Sequence, residues 1–209
     1  MSDSCDNCCT IDTLGAQQQS TLVKVLAINV IMFVVIVGAA IYGKSAALLS
    51  DSLDNLGDSV TYGLSLYAIY HGAGTKAKVA LFKGSLIFIA ACVVIAQIVY
   101  RVIYPVLPSY EVMSVSSVAA LLANGLCLYL LWRHRNEDIN MSSVFECSRN
   151  DIATNVSVIV AAFAVWFFDA GWPDLVVATG LAMVLLYSSA RVIKGAWMEL
   201  SKAFPASSV

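Results

Sequence analysis

Long apolar runs separated by short polar breaks dominate the sequence between residues 21 and 197. A helix that crosses a membrane needs about 20 mostly apolar residues, and six runs reach this length. They predict spans at Thr21–Gly43, Ser45–His71, Lys78–Tyr104, Met113–Trp132, Ile139–Phe168 and Trp172–Trp197. The pattern therefore predicts an all-α membrane protein with six transmembrane helices.

The breaks between these runs contain residues that end helices. A tight first loop is predicted at Gly43–Ser45, and the third helix should stop at Pro105 because proline cannot continue the helical hydrogen-bond ladder. The start of the fifth span, INMSSVFECSRND, is polar but holds no helix breaker. We expect one continuous helix there, with its polar half shielded from lipid, since polar surface at membrane depth is tolerated where it lines a cavity.

Composition leaves little room for a soluble domain. Hydrophobic residues make up 59% of the 209 residues and charged residues 12%, about half the charged share of a typical soluble protein. The predicted organisation is a polar cysteine-containing cytoplasmic tail over residues 1–20, a six-helix transmembrane transport domain over 21–197 and a short cytoplasmic stub over 198–209. The start, MSDSCDNCCT, lacks the basic-then-apolar order of a cleaved signal peptide.

The placement of basic residues predicts the orientation. With six spans, both termini and the second and fourth loops share one side. That side collects Lys24, Lys76, Lys78, Lys83, Arg133, Arg135, Arg191, Lys194 and Lys202, whereas the other side has Lys44 and Arg101. Positively charged loops stay in the cytoplasm, so both termini are predicted to be cytoplasmic.

Acidic residues inside the second span are the strongest sign of chemistry. Asp54 and Asp58 are one helical turn apart and share a face, and Asp51 lies just upstream. An acid in a membrane-spanning helix costs several kcal/mol, so it needs a cation, a proton or water. The pair therefore points to transport of positive ions. The alternative is a buried acid pair held by polar neighbours, and Asp51 is a candidate for an orienting, capping or ligating role.

The fifth span repeats the same spacing with Cys147 and Asp151. Helices two and five run antiparallel, and Asp58 and Asp151 lie at similar distances from the predicted cytoplasmic ends. If the two faces meet, three carboxylates and a thiol suit tetrahedral zinc or cadmium, and the thiolate argues against magnesium or calcium. Taken alone, a cysteine such as Cys147 is more often a packed thiol than a metal ligand.

Three segments resemble the cation diffusion facilitator family. The second span, SAALLSDSLDNLGDSVTYGLSLYA, is similar to that family's lead-in and [His/Asp]-x3-Asp motif. The fifth, CSRNDIATNVSVIVAA, is similar to its His-x3-Asp helix, and WPDLVVATGLAMVLLYSSARVIKGAWMEL resembles its last turn and helix. The resemblance implies export of divalent metals, commonly zinc, in exchange for protons. It also implies a homodimer with six spans and cytoplasmic termini, here in a bacterial inner membrane.

By this resemblance the metal ligands are Asp54, Asp58, Cys147 and Asp151, with Cys147 where the family usually has histidine. That replacement brings cadmium, cobalt or nickel into consideration beside zinc. In the first helix the family often has Asn followed seven residues later by Glu, whereas here Asn29 is followed by Ile36. The family's usual cytoplasmic domain does not follow the sixth span, so the chain is expected to be a short member.

The sequence thus predicts proton-coupled efflux of a divalent transition-metal ion. The ion is cargo rather than a cofactor, and neither an ATP-binding P-loop nor an enzymatic motif is present. One alternative is uptake or a channel-like leak through the same ligands. Another is a membrane-bound metal sensor or metallochaperone, for which the candidate tail site Cys5, Cys8 and Cys9 is the best support. No basic patch suggests nucleic-acid binding; the expected partners are metal ions, protons and the lipid bilayer.

Overall fold

The computed structural model describes residues 16–68, 73–132 and 139–203. These residues form six helices and, within the described ranges, no strand. The helices are α1 (Ala16–Gly43), α2 (Ala46–Ala68), α3 (Ala73–Ile103), α4 (Tyr110–Trp132), α5 (Ile139–Phe168) and α6 (Trp172–Ala203). The all-helical prediction is confirmed, and α5 is continuous through its polar first half, as the missing helix breakers predicted.

Five of the six helices in the described ranges are long and apolar enough to cross a membrane, and α2 is not among them. With 23 residues α2 has the necessary length, at about 1.5 Å per residue. Its apolarity falls short because three aspartates, Asn55 and several serines occupy it. The predicted sixth span at α2 is therefore not confirmed, and its place across the membrane remains a prediction.

Short turns fix how consecutive helices meet. Lys44 takes a left-handed conformation with φ of 54° between α1 and α2, so the chain reverses within the predicted Gly43–Ser45 loop. The third helix ends at Ile103, just before Pro105, as expected. Ser109 then begins α4 by accepting a hydrogen bond from the Val112 amide at 3.3 Å, which is a typical N-cap contact.

Four helices form a ring, and the other two pack beside it. Contacts join α1 to α2, α2 to α5, α5 to α4 and α4 back to α1, while α3 and α6 pack on each other and against α2. The α3–α6 contact is close at Gly84, where a Cβ atom would lie 2.7 Å from Cγ1 of Ile193. The ring therefore encloses an interior of its own, and it meets the α3–α6 pair through α2 and also through a contact between α5 and α6.

The interior of this ring is apolar towards both ends. The first apolar cluster lies near the α1–α2 turn and includes Ile36, Leu48, Met113 and Val158. The second apolar cluster lies towards the start of α1 and consists of buried Leu22, Val25, Tyr62, Cys127 and Leu131. Between the two clusters, every helix of the ring contributes buried polar side chains.

Candidate functional site

The acidic residues of α2 face inward to different degrees. Asp51 is only 1% exposed, and its Oδ2 atom has no hydrogen-bond partner among the described residues. Asp54 and Asp58 are partly buried. The hydroxyl of Tyr62, one turn further along α2, donates a hydrogen bond of 3.2 Å to Oδ2 of Asp58. Asp51 is thus the least exposed of the three acids.

Asp151 on α5 lies against the same acidic face. It is 4% exposed, and its Oδ2 has no hydrogen-bond partner in the described part of the chain. Its carboxylate interacts electrostatically with all three acids of α2, most strongly with Asp58, then Asp54, then Asp51. This order fits an antiparallel α2–α5 contact with Asp58 and Asp151 at similar depth.

Cys147, one turn before Asp151, is partly buried and packs against the second apolar cluster. Its thiol also interacts electrostatically with the hydroxyl of Tyr62. Cys147 therefore borders both the apolar packing and the acidic group, a position compatible with either role that the sequence left open.

The side chains are near one another but do not form a ready-made coordination sphere. Across residues 16–68, 73–132 and 139–203, no three Asp, Glu, His or Cys side chains converge closely enough to hold one ion. The predicted ligands Asp54, Asp58, Cys147 and Asp151 would have to turn or move together to bind a metal. Such movement is expected of a transport site, which must open to each side in turn.

Tyr62 is a site residue that the sequence analysis missed. It is fully buried and interacts with Asp58, Cys147 and Asp151. The signal was available, because Tyr62 follows Asp58 by four residues and so shares its helix face. A phenol that can donate to one carboxylate orients it, so Tyr62 is a positioning residue for Asp58.

Buried asparagines were also missed, although each of the four ring helices carries one. Asn29, Asn55, Asn124 and Asn155 are each at most 2% exposed. Each has an amide oxygen for which the described residues offer no hydrogen-bond partner. Together with Asp51, Asp58 and Asp151 they form what we call the polar layer.

The polar layer is too costly to be explained by packing alone. All residues of the layer except Asp58 have an unpaired buried atom within the described residues. Each such group costs about 1–3 kcal/mol, so the cost of six groups is comparable to the net stability of a typical domain, about 5–15 kcal/mol. Unpaired buried groups usually mark a place for water, an ion or a functional role. The layer is therefore suited to holding a hydrated or partly dehydrated cation.

Some predicted residues lie outside the described part of the structure. Cys5, Cys8 and Cys9 precede residue 16 and so lie outside the described residues. The tail metal site therefore stays a prediction.

Comparison with known proteins identifies the family. No curated protein matches the sequence. A family model described as the cation efflux transmembrane domain matches residues 22–201, which includes most of α1 and α6, the whole of the four helices between them and every residue of the polar layer. This family transports metal cations across membranes and is a family of transporters rather than enzymes. The chain is an integral membrane protein that belongs to the cation efflux family.

Proposed function

We propose that this protein exports divalent transition-metal ions in exchange for protons. Asp54 and Asp58 of α2 and Cys147 and Asp151 of α5 act as the cargo ligands. Both termini lie in the cytoplasm of a bacterial cell whose inner membrane holds the protein, and two copies assemble as a homodimer. Zinc or cadmium is the favoured cargo, with cobalt or nickel as further candidates.

The observation that carries this proposal is the meeting of acids across the α2–α5 contact. Asp151 interacts electrostatically with the α2 acids, and two of these carboxylates, Asp51 and Asp151, are nearly fully buried with an unpaired oxygen within the described residues. Unpaired acids at membrane depth are rare and mark ion or proton pathways. Carboxylate oxygens with one thiolate match the ligands that zinc and cadmium accept.

Proton coupling follows from the charge of this ligand set. Three carboxylates and a thiolate carry four negative charges when fully ionised, whereas the cargo brings two positive charges. Because ligands must lose protons to bind metal, protons and metal compete for the same atoms. Binding from the cytoplasm therefore releases protons, and protons arriving from the other side displace the metal.

A pH gradient is expected to drive metal flux in lipid vesicles that contain the purified protein. Zinc or cadmium should move opposite to the proton gradient, and reversal of the gradient should reverse the flux. The measurement is a fluorescent metal indicator trapped inside the vesicles, with protein-free vesicles and an added protonophore as controls.

Two results would contradict the antiport proposal in different ways. Flux that is indifferent to the pH gradient would identify a channel-like leak. Metal binding with no flux in either direction would favour the sensor or metallochaperone.

Replacing Cys147 with serine is expected to reduce cadmium flux by about tenfold or more and zinc flux much less, because sulfur ligands favour softer ions. Serine keeps the size of the side chain and replaces sulfur with oxygen. The matched control is Cys92→Ser on α3, whose thiol is exposed and should leave both fluxes unchanged. Equal losses for the two metals in Cys147→Ser would show that the thiol does not set selectivity.

A further inference from the structure

Cys127 is a buried thiol that the proposed ligand set does not include. It lies on α4, is fully buried and carries a free thiol among the described cysteines. Buried cysteines ordinarily act as small apolar side chains, and Cys127 does belong to the second apolar cluster. The residues that lie opposite it on α5 point to a further role.

Two contacts fix the height of α4 against α5. At one end of the pair, Tyr110 of α4 and Trp166 of α5 line the same groove. At the other end, the rings of Trp132 and Phe145 pack edge to face with their centroids 5.7 Å apart. The two helices therefore run antiparallel and stay in contact from one end to the other.

Cys127 lies at the height of α5 that carries Cys147 and Asp151. Along α4 it comes 17 residues after the first of these contacts and 5 residues before the second. The same steps along α5 lead to positions 149 and 150, between the two predicted ligands. Since a helix rises about 1.5 Å per residue, Cys127 is displaced along the axis by less than one turn from either of them.

The side chain of Cys127 also faces the acidic group. Its thiol interacts electrostatically with Asp151, whose Oδ2 atom has no hydrogen-bond partner among the described residues. Tyr62 and Cys147 pack in the same apolar cluster as Cys127, and the Tyr62 hydroxyl donates to Asp58. Two thiols, a phenol and two carboxylates therefore lie together where α2, α4 and α5 meet.

We infer that Cys127 is a further cargo ligand, and that its thiol makes the transport site selective for soft divalent ions, cadmium above zinc. This inference rests on the proposed transport function and assigns the substrate class of that site. A second thiolate allows two sulfur atoms and two carboxylate oxygens to complete a four-coordinate arrangement. Each sulfur ligand shifts the preference of a site towards softer ions.

The packing of α4 on α5 indicates how this ligand reaches the ion. The predicted ligands are not assembled within the described residues, so the site has to close around its cargo. Because α4 and α5 are in contact along their length, we expect Cys127 to stay beside Cys147 and Asp151 while α2 brings Asp58 towards them. The Cys127 thiol then needs only rotation about its Cα–Cβ bond.

Replacing Cys127 tests the inference through ion selectivity. Cys127→Ser keeps the size of the side chain and exchanges sulfur for oxygen, whereas Cys127→Ala removes the donor and stays apolar. Both variants should lower cadmium flux in vesicles by about tenfold and zinc flux by less than about threefold. The matched control is Val25→Ala, which removes a similar volume from the same apolar cluster and should leave the ratio of the two fluxes unchanged.

Cadmium binding to the purified full-length protein gives a second readout, which packing alone does not change. Cadmium bound to thiolates has a charge-transfer absorption band in the ultraviolet, and this band grows with the number of thiolate ligands. At saturating cadmium, Cys127→Ser and Cys147→Ser should each lose an equal part of the band, and the double variant should lose the sum. The tail cysteines are the same in every variant, so their contribution cancels in these differences.

Four outcomes would overturn the inference. Original cadmium flux and absorption in both Cys127 variants, with Asp58→Asn inactive, would identify a packed thiol and leave the proposed transporter intact. Equal losses of zinc and cadmium flux in Cys127→Ala and Val25→Ala would assign the effect to packing. A selective loss of cadmium flux with an unchanged band would place Cys127 beside the ion pathway rather than on the ion. Normal flux in Asp58→Asn would overturn the transport site itself, and the inference with it.

Discussion

Asp58→Asn is expected to reduce metal flux in reconstituted vesicles to the level of protein-free vesicles. The carboxamide cannot take a negative charge, so the site loses a charged ligand and one exchangeable proton. Replacement of residues that only support metal ligands already costs about 10–100-fold, and a direct ligand should cost more. The measurement is zinc and cadmium flux under an imposed pH gradient.

The asparagine variant tests charge rather than packing. The Tyr62 hydroxyl donates to Oδ2 of Asp58, and a carboxamide oxygen can accept the same hydrogen bond. The contact within α2 is therefore retained, and size-exclusion behaviour and thermal stability should remain close to those of the original protein.

A matched control for this change is available at Asp169. This residue is exposed and follows α5 with a φ of 47°, a left-handed conformation that asparagine adopts readily. Asp169→Asn makes the same chemical change away from the polar layer and should transport normally. Equal flux in Asp58→Asn and Asp169→Asn would show that Asp58 is not a ligand.

The helices could be predicted from the sequence because their signals are local. Apolar runs of membrane length, Pro105 after the third helix and the tight turn at Lys44 depend only on neighbouring residues. The acidic face of α2 was also readable, since Asp54 and Asp58 are one turn apart. The same acids lower the apolarity of α2, which is why hydropathy alone does not identify it as a span.

The ring of α1, α2, α5 and α4 could not be predicted, because pairing of helices is a tertiary property. A single asparagine in an apolar helix, such as Asn124, does not reveal which way the helix is turned. Asn29 drew attention in the sequence only because Ile36 follows it where the family often has Glu. The burial of one asparagine on each of these four helices becomes visible only when the helices are packed together.

Asp174 shows most clearly that contacts between distant helices cannot be predicted from local sequence. It stands in a Trp-Pro-Asp segment that marks the start of α6, where an acid is ordinarily a local helix cap. Its actual contacts are with α2. The hydroxyl of Ser45 donates to Oδ1 of Asp174 at 2.6 Å, the Ala46 amide donates to Oδ2 at 2.8 Å and the Ala47 amide donates to Oδ1 at 3.1 Å.

These bonds complete the N-terminus of α2. The Ser45 oxygen accepts a hydrogen bond from the Leu48 amide at 3.0 Å, so Ser45 and Asp174 together satisfy the first three amides of the helix. A helix start that is buried without such partners leaves donors unpaired. Asp174 therefore anchors the acid-bearing helix to α6 through a carboxylate that is 2% exposed.

Asp174→Asn is accordingly expected to destabilise the protein by about 2–4 kcal/mol. Asparagine keeps one oxygen acceptor, but its NH2 group stands where the second carboxylate oxygen accepted a hydrogen bond, so at least one backbone donor is left unpaired. The remaining bonds lose their charge assistance, and hydrogen bonds to a charged group contribute about 1.5–3 kcal/mol each. Thermal unfolding in detergent, followed by the fluorescence of the tryptophans, should show a clearly lower midpoint. Asp169→Asn is again the matched control and should unfold like the original protein.

Metal flux through Asp174→Asn tests whether Asp174 acts by holding α2 in position. Because the cap holds the end of α2 nearest Asp51, flux should fall at temperatures where the protein is still folded, with zinc and cadmium affected equally. This differs from Cys147→Ser, in which the two metals should separate. Unchanged stability in Asp174→Asn would mean that Ser45 alone suffices to hold α2, and a selective loss of one metal would instead connect Asp174 to the cargo.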